Sequence, residues 1–270
     1  MIKYITTGIK DISWKGFCFM KKIVTFTVAF CLLVSLFTAA YADHEILNDQ
    51  AVRYISLEGD SISFDCGGVT VSGNVATISA AGVYSLSGKL NDGQILVAVA
   101  SDEKVQIELN GVDITSLTGP AIYVENADKV TLDIADGTEN VITSGTKSDY
   151  DNNDGSQSGA AIYAKDDLKI KGHGTLIVYG YLNNGIGSKN DIDIKNADLE
   201  ITAANNGIKG NDSVEISDAN LIIRAGGSAV KTETEKTGKG FVTITGSALA
   251  ITAEKGISAD GMITIVPAAE

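Results

Sequence analysis

The sequence predicts an all-β solenoid, a parallel β-helix, and three observations carry that prediction. Apolar residues return with a period of 22 residues, from Ile186 to Ile208 and again from Ile208 to Val230. Within each unit they fall in pairs two residues apart, which is the alternation of a strand with one buried face. Glycine is frequent, at 29 residues, while proline is nearly absent, at 2. That balance suits many short turns in one repetitive chain.

The N-terminus is an address. Met20-Lys21-Lys22 leads into the apolar run Ile23 to Thr38, and Ala40-Tyr41-Ala42 places small residues before Asp43. A charged start, an apolar middle and an A-x-A end describe a secretory signal peptide. We therefore assign residues 1–42 to the signal, with 1–19 upstream of the true start Met20, and the exported domain to 43–270. The apolar run is shorter than the ~20 residues that span a bilayer, so no stable membrane insertion follows cleavage. Cys31 follows bulky Phe30 in mid-run, a poor context for lipid attachment. The expected location is secreted, extracellular or cell surface.

Cleavage removes Trp14, Cys18 and Cys31, leaving Cys66 without a disulfide partner and the domain without tryptophan. It also takes five lysines and one aspartate from the 21 cations and 34 anions, leaving 16 and 33 and a net charge of −17. An acidic chain with Arg53 and Arg224 as its only arginines argues against nucleic acid, whose phosphates need clustered cations. His44 and His173 with three cysteines are too few for a Cys/His zinc cage.

The repeat is clearest from Gly-Ile as origin: Gly185-Ile186, Gly207-Ile208 and Gly256-Ile257, with Ala161-Ile162 and Ala229-Val230 as variants. After Ile186 the pairs are Ile192/Ile194 and Leu199/Ile201; after Ile208 they are Val214/Ile216 and Leu221/Ile223, at the same offsets. Leu168/Ile170 with Leu176/Val178 precede them, and Val242/Ile244 with Leu249/Ile251 follow. Two or three short strands per unit, repeated in register, make one coil, and the apolar positions stack into internal columns. Ile95/Val97/Val99, Val105/Ile107/Leu109 and Val130/Leu132 continue the pattern less regularly upstream. The steps Ile122 to Ile162 and Val230 to Ile257 are longer, and predict loops at Ser144–Ser158 and Thr232–Gly240. The chain stops soon after Ile265, so an open last coil would expose a strand edge to self-association.

Three stretches, NGVDITSLTGPAIYVENADKVTLDIADGTENVIT, AAIYAKDDLKIKGHGTLIVYG and NNGIGSKNDIDIKNADLEITAANNGIKGNDSVEIS, resemble a family of secreted carbohydrate-binding proteins of anaerobic bacteria. The resemblance covers about residues 60–260. It implies a right-handed parallel β-helix similar to calcium-dependent pectate lyases, and a polysaccharide partner, cellulosic or acidic. Relatives commonly carry Asp-Asp before Gly-Ile, as stacked carboxylates able to bind calcium. Here those positions read Asn183-Asn184 and Asn205-Asn206. Asparagine keeps a carbonyl oxygen but gives up the charge on which calcium affinity depends, so a ladder of side-chain amides is expected there.

Other residues carry the remaining candidate chemistry. Asp149, Asp151 and Asp154 form an acidic loop that is the best cation candidate outside the repeat, three carboxylates within six residues able to wrap calcium, although it fails the EF-hand spacing and the alternative is a solvated loop. Asp166, Asp167, Asp191 and Asp212 recur after the Gly-Ile origin, and carboxylates stacked at ~4.8 Å repel unless a cation intervenes. Ca2+ or the nearby lysines Lys165, Lys189 and Lys209 would serve. Lys209 and Lys231 share one offset and should stack; either would be the base of a lyase if its proton were easily lost. Tyr123 and Tyr163 also share an offset, and with Lys189 and Lys209 they are the predicted carbohydrate contacts. Three functions follow: a non-catalytic polysaccharide binder, which we favour, a calcium-dependent lyase on uronic-acid polymers, or a structural or adhesive surface solenoid. An oligosaccharide-binding assay and uronate-product absorbance separate them.

Overall fold

A computed structural model describes residues 51–145 and 159–268. The expected signal segment and the loop bearing Asp149, Asp151 and Asp154 lie outside the described residues. Within them the chain is all β, with 22 strands and no helix. It winds as a parallel β-helix of about seven turns.

Register explains why these residues make these strands. Ile95, Ile122, Ile162, Ile186, Ile208, Val230 and Ile257 pair in succession as one column on the first face of the solenoid. Val130, Leu168, Ile192, Val214, Val242 and Ile263 form the second, and Leu176, Leu199, Leu221 and Leu249 the third. These columns converge on one core extending from Ile55 to Ile244. The 22-residue period is thus the contour length of a coil, and each parallel pairing puts like on like. Any one-residue slip would turn every buried side chain outward.

The corners need particular backbones. Between the second and third faces, Asn196 and Asp218 adopt φ of 50° and 52°, and Gly246 occupies the next equivalent position at 59°. Asn, Asp and Gly are the residues that enter this left-handed region at least cost. At Gly246 a Cβ would lie 2.5 Å from Asp218 Oδ1, so a larger residue would have to push that carboxylate aside. At the first corner, Gly207 is required for a different reason: a Cβ would meet Ile223 Cγ2 at 2.5 Å and Ala229 O at 2.6 Å. His173 occupies an exposed bend between Gly172 and Gly174.

The two ends of the solenoid differ. At the N-terminal end the edge is covered by antiparallel strands, Ile62–Phe64 against Arg53–Gly59 and Val69–Ser72 against Val75–Ile78. The repeat gave no sign of these hairpins, because antiparallel pairing needs no period. Cys66 lies between them, half-buried, with its thiol pushed up by burial first and by Asp65 second. At the other end Ile263–Val266 pairs on one side with Phe241–Thr245, leaving Ile265 59% and Met262 68% exposed.

Ile208 is fully buried between Ile186 and Val230. Ile208→Val should cost only about 0.5–1.5 kcal/mol and Ile208→Ala about 2–5 kcal/mol. Ile208→Asp, which buries a lone charge against both neighbouring coils, should abolish cooperative folding. Urea unfolding of the three variants checks the series; a cooperatively folding Asp variant would contradict this register.

Candidate functional site

The corner before each Gly-Ile origin builds the site. Asn-Asn precedes Gly-Ile in two successive coils, so register stacks the amides in two parallel ladders. On the inner ladder, Asn206 donates from Nδ2 to Asn184 Oδ1 at 2.9 Å, and its backbone N–H donates to the same oxygen at 3.1 Å. The next coil places Ser228 above Asn206, and the Ser228 N–H donates to Asn206 Oδ1 at 3.1 Å. Both inner asparagines are buried, and these bonds answer their buried polar atoms. On the outer ladder Asn205 Nδ2 donates to Asn183 Oδ1 at 2.9 Å. The expected amide ladder is therefore present, its side chains bonded directly to one another.

Outside the ladder runs a groove along the solenoid. It comprises two adjoining depressions of about 220 Å3 and about 280 Å3, which share Asn205, Asn206 and Lys209. Tyr163, Asn183, Ser188, Lys189 and Asn211 line the first. Ser228, Lys231, Glu233, Glu254 and Lys255 line the second. The lining is mostly polar: amides, hydroxyls and ammonium groups, with the Glu233 and Glu254 carboxylates in the second depression.

Three of the four predicted carbohydrate contacts, Tyr163, Lys189 and Lys209, meet in this groove. Tyr123 does not line it but stacks on Tyr163, with centroids 6.0 Å apart and planes within 5°. The shared offset brings the rings together as expected. Their surroundings differ from the expectation of an open stacking surface, since each ring is only 4% exposed. Lys165 Nζ lies 5.7 Å from the centre of the Tyr123 ring, a cation–π contact. The exposed aromatic pair is Tyr179 with Tyr181, whose rings stack at 5.5 Å and of which Tyr181 is 49% exposed.

Lys209 and Lys231 pair in register, as predicted. Both ammonium groups meet Glu233, Lys209 at 2.6 Å to Oε2 and Lys231 at 3.0 Å to Oε1. The hydrogen bond from Lys209, then that from Lys231, lowers the Glu233 carboxyl from its ordinary 4.5 to about 2. Sequence reasoning missed Glu233 because it sits in the insertion after Thr232, where the period no longer aligns residues.

The repeated acids are met by protein groups. Asp167 lies over Lys129 and beside Asp191, with 3.8 Å between Lys129 Nζ and its Oδ2. Burial, and then the Asp191 charge, raise its pKa. Asp166 accepts from the Ala127 N–H at 3.1 Å, and Asp191 from the Ser213 hydroxyl at 2.7 Å. Asp212 Oδ2 lies 2.9 Å from Lys236 Nζ and 3.7 Å from Lys239 Nζ, while its buried Oδ1 has no hydrogen-bond partner. That orphan oxygen would suit a cation, yet two ammonium groups already face the carboxylate. Calcium takes 6–8 converging oxygens. Among the described residues no three Asp, Glu, His or Cys side chains gather around one point.

Comparison with known proteins agrees with this architecture. A family model described as carbohydrate-binding domain-containing protein matches residues 72–268, and the chain belongs to that family. A carbohydrate-binding domain-containing protein of Acetivibrio thermocellus is 40% identical over 150 residues, which are 55% of this chain and 52% of the relative. The chain thus matches about half the length of that relative. Among solved structures, a gadolinium derivative of a polysaccharide lyase-like protein from C. thermocellum is similar, with 33% identity and a TM-score of 0.73. That similarity covers 80% of this chain and 97% of the other.

Asn206→Ala should cost about 1–3 kcal/mol for each buried partner left unsatisfied, here the Ser228 N–H above all. Denaturant unfolding checks it, and a loss within error would show that the ladder is dispensable. The Glu233 contribution should depend on pH. Its folded pKa is depressed, so the stabilisation is complete above about pH 4.5 and is lost as pH falls towards about 2. The gap in thermal midpoint between wild type and Glu233→Gln should therefore close across that window.

Proposed function

We propose that this is a secreted, non-catalytic polysaccharide-binding protein that holds a glycan chain along the amide-lined groove. The observation that carries this reading is the stacking of Asn183 and Asn205 beside Lys189, Lys209 and Asn211 in one depression parallel to the solenoid. Side-chain amides offer donors and acceptors together, as hydroxyl-rich sugars require. A groove running from coil to coil suits a polymer better than a compact ligand. Membership of the carbohydrate-binding family supports the reading, and the polymer class we propose is cellulosic or pectate-like.

A lyase is the second reading, favoured by the likeness to a polysaccharide lyase-like protein. Its base would be Lys209 or Lys231. Both point at the Glu233 carboxylate, whereas a base must present its nitrogen to the substrate proton. That geometry supports binding over elimination. Calcium assistance is part of this reading, with Asp149, Asp151 and Asp154, or Asp166, Asp167, Asp191 and Asp212, as its ligands.

Affinity electrophoresis through hydroxyethylcellulose and polygalacturonate, with and without chelator, tests the proposal on exported protein whose N-terminus is expected at Asp43. Wild type should be retarded by at least one polymer without releasing unsaturated product, and Asn205→Ala should weaken retardation by about three- to tenfold. Free migration in both gels would remove the binding reading. Unsaturated product that disappears in Lys209→Ala would put the lyase in its place.

A further inference from the structure

We propose that Glu233 determines the ligand class of the groove, occupying Lys209 and Lys231 so that neutral glycans are accepted in preference to polyuronates. This rests on the groove being the glycan site. Stacking at coil spacing brings two ammonium groups to ~4.8 Å, where they repel unless an anion lies between them. Glu233 supplies that anion with one oxygen to each lysine, at 2.6 Å and 3.0 Å. A uronate carboxylate entering the groove would seek the same two partners in the same bridging geometry. It meets a site already filled from within the chain.

Glu233 is held there by the segment that carries it. The Thr234 N–H donates to Asp260 Oδ2 at 2.9 Å, Lys236 bonds Asp212 at 2.9 Å, and the Gly240 N–H donates to Asp212 O at 2.6 Å. These contacts place the carboxylate over the lysines before any ligand arrives, so displacing it means sacrificing two charge-assisted bonds. The rest of the field acts in the same direction, since a chain of net charge −13 repels a polyanion at long range. A neutral glucan is indifferent to that repulsion. It finds the Asn183 and Asn205 amides in place whether or not Glu233 is charged.

The same two polymers decide the matter with Glu233→Gln, and with Glu233→Ser as a second, smaller replacement. Freeing the lysines should raise retardation in polygalacturonate by about tenfold at low salt, with the gain erased at high salt. The gain on polygalacturonate should exceed any change in hydroxyethylcellulose by at least about fivefold, whatever Glu233 itself contributes to the groove. Adding Lys209→Gln and Lys231→Gln to Glu233→Gln should cancel the gain. If wild type is retarded by hydroxyethylcellulose but neither Glu233 variant gains on polygalacturonate, the selectivity proposal is overturned and the groove stands. Equal gains on both polymers also overturn it. If neither polymer retards any of the proteins, the groove reading falls and this proposal with it.

Discussion

Parallel pairing between successive coils is the constraint from which the rest follows. It places each residue ~4.8 Å from its equivalent in the next turn, and so makes every column a test of whether a residue tolerates its own kind as a neighbour. Isoleucine and leucine pass by packing. Asparagine passes because one end of an amide donates and the other accepts. Lysine and aspartate repel their own kind, and two such stacks meet an opposite charge: Lys209 and Lys231 meet Glu233, and Asp167, stacked beside Asp191, meets Lys129.

This view explains the amides at Asn183, Asn184, Asn205 and Asn206. Carboxylates at those positions would stand within hydrogen-bonding distance of one another with no donor between them, and would need a cation to coexist. Asparagine brings its own donor, and the ladder closes at 2.9 Å in both rows. Tyrosine obeys the same logic, since Tyr123 and Tyr163 stack in parallel planes. Their burial shows that stacking in a solenoid can be a packing device as readily as a ligand platform.

The columns were legible in the sequence because a periodic fold writes its contacts as a period. Ile186, Ile208 and Val230 stack as their spacing predicts, and so do Leu199 with Leu221 and Lys209 with Lys231. What the sequence hid lies where the period lapses. Glu233 follows an insertion, so no offset links it to the lysines it bridges. The hairpins at Ile62–Phe64 and Val69–Ser72 pair antiparallel and repeat nothing. Asn140 is a further case: it occupies a position equivalent to Leu176, fully buried, and accepts from the Gly111 and Val112 N–H groups at 2.9 and 3.0 Å. Its polarity is explained by a local bulge in the neighbouring coil, which no periodic rule anticipates.

The equivalence of Gly187 and Lys209 in register has an evolutionary meaning. Excising residues 187–208 would join Ile186 to Lys209 with every column still facing its counterpart, and duplicating them would insert a turn just as smoothly. Gene-level slippage by one whole module is therefore a neutral move for the fold while it shortens or lengthens the amide row. Lineages built on this plan can alter the reach of their binding surface by counting turns, leaving the chemistry of each turn untouched.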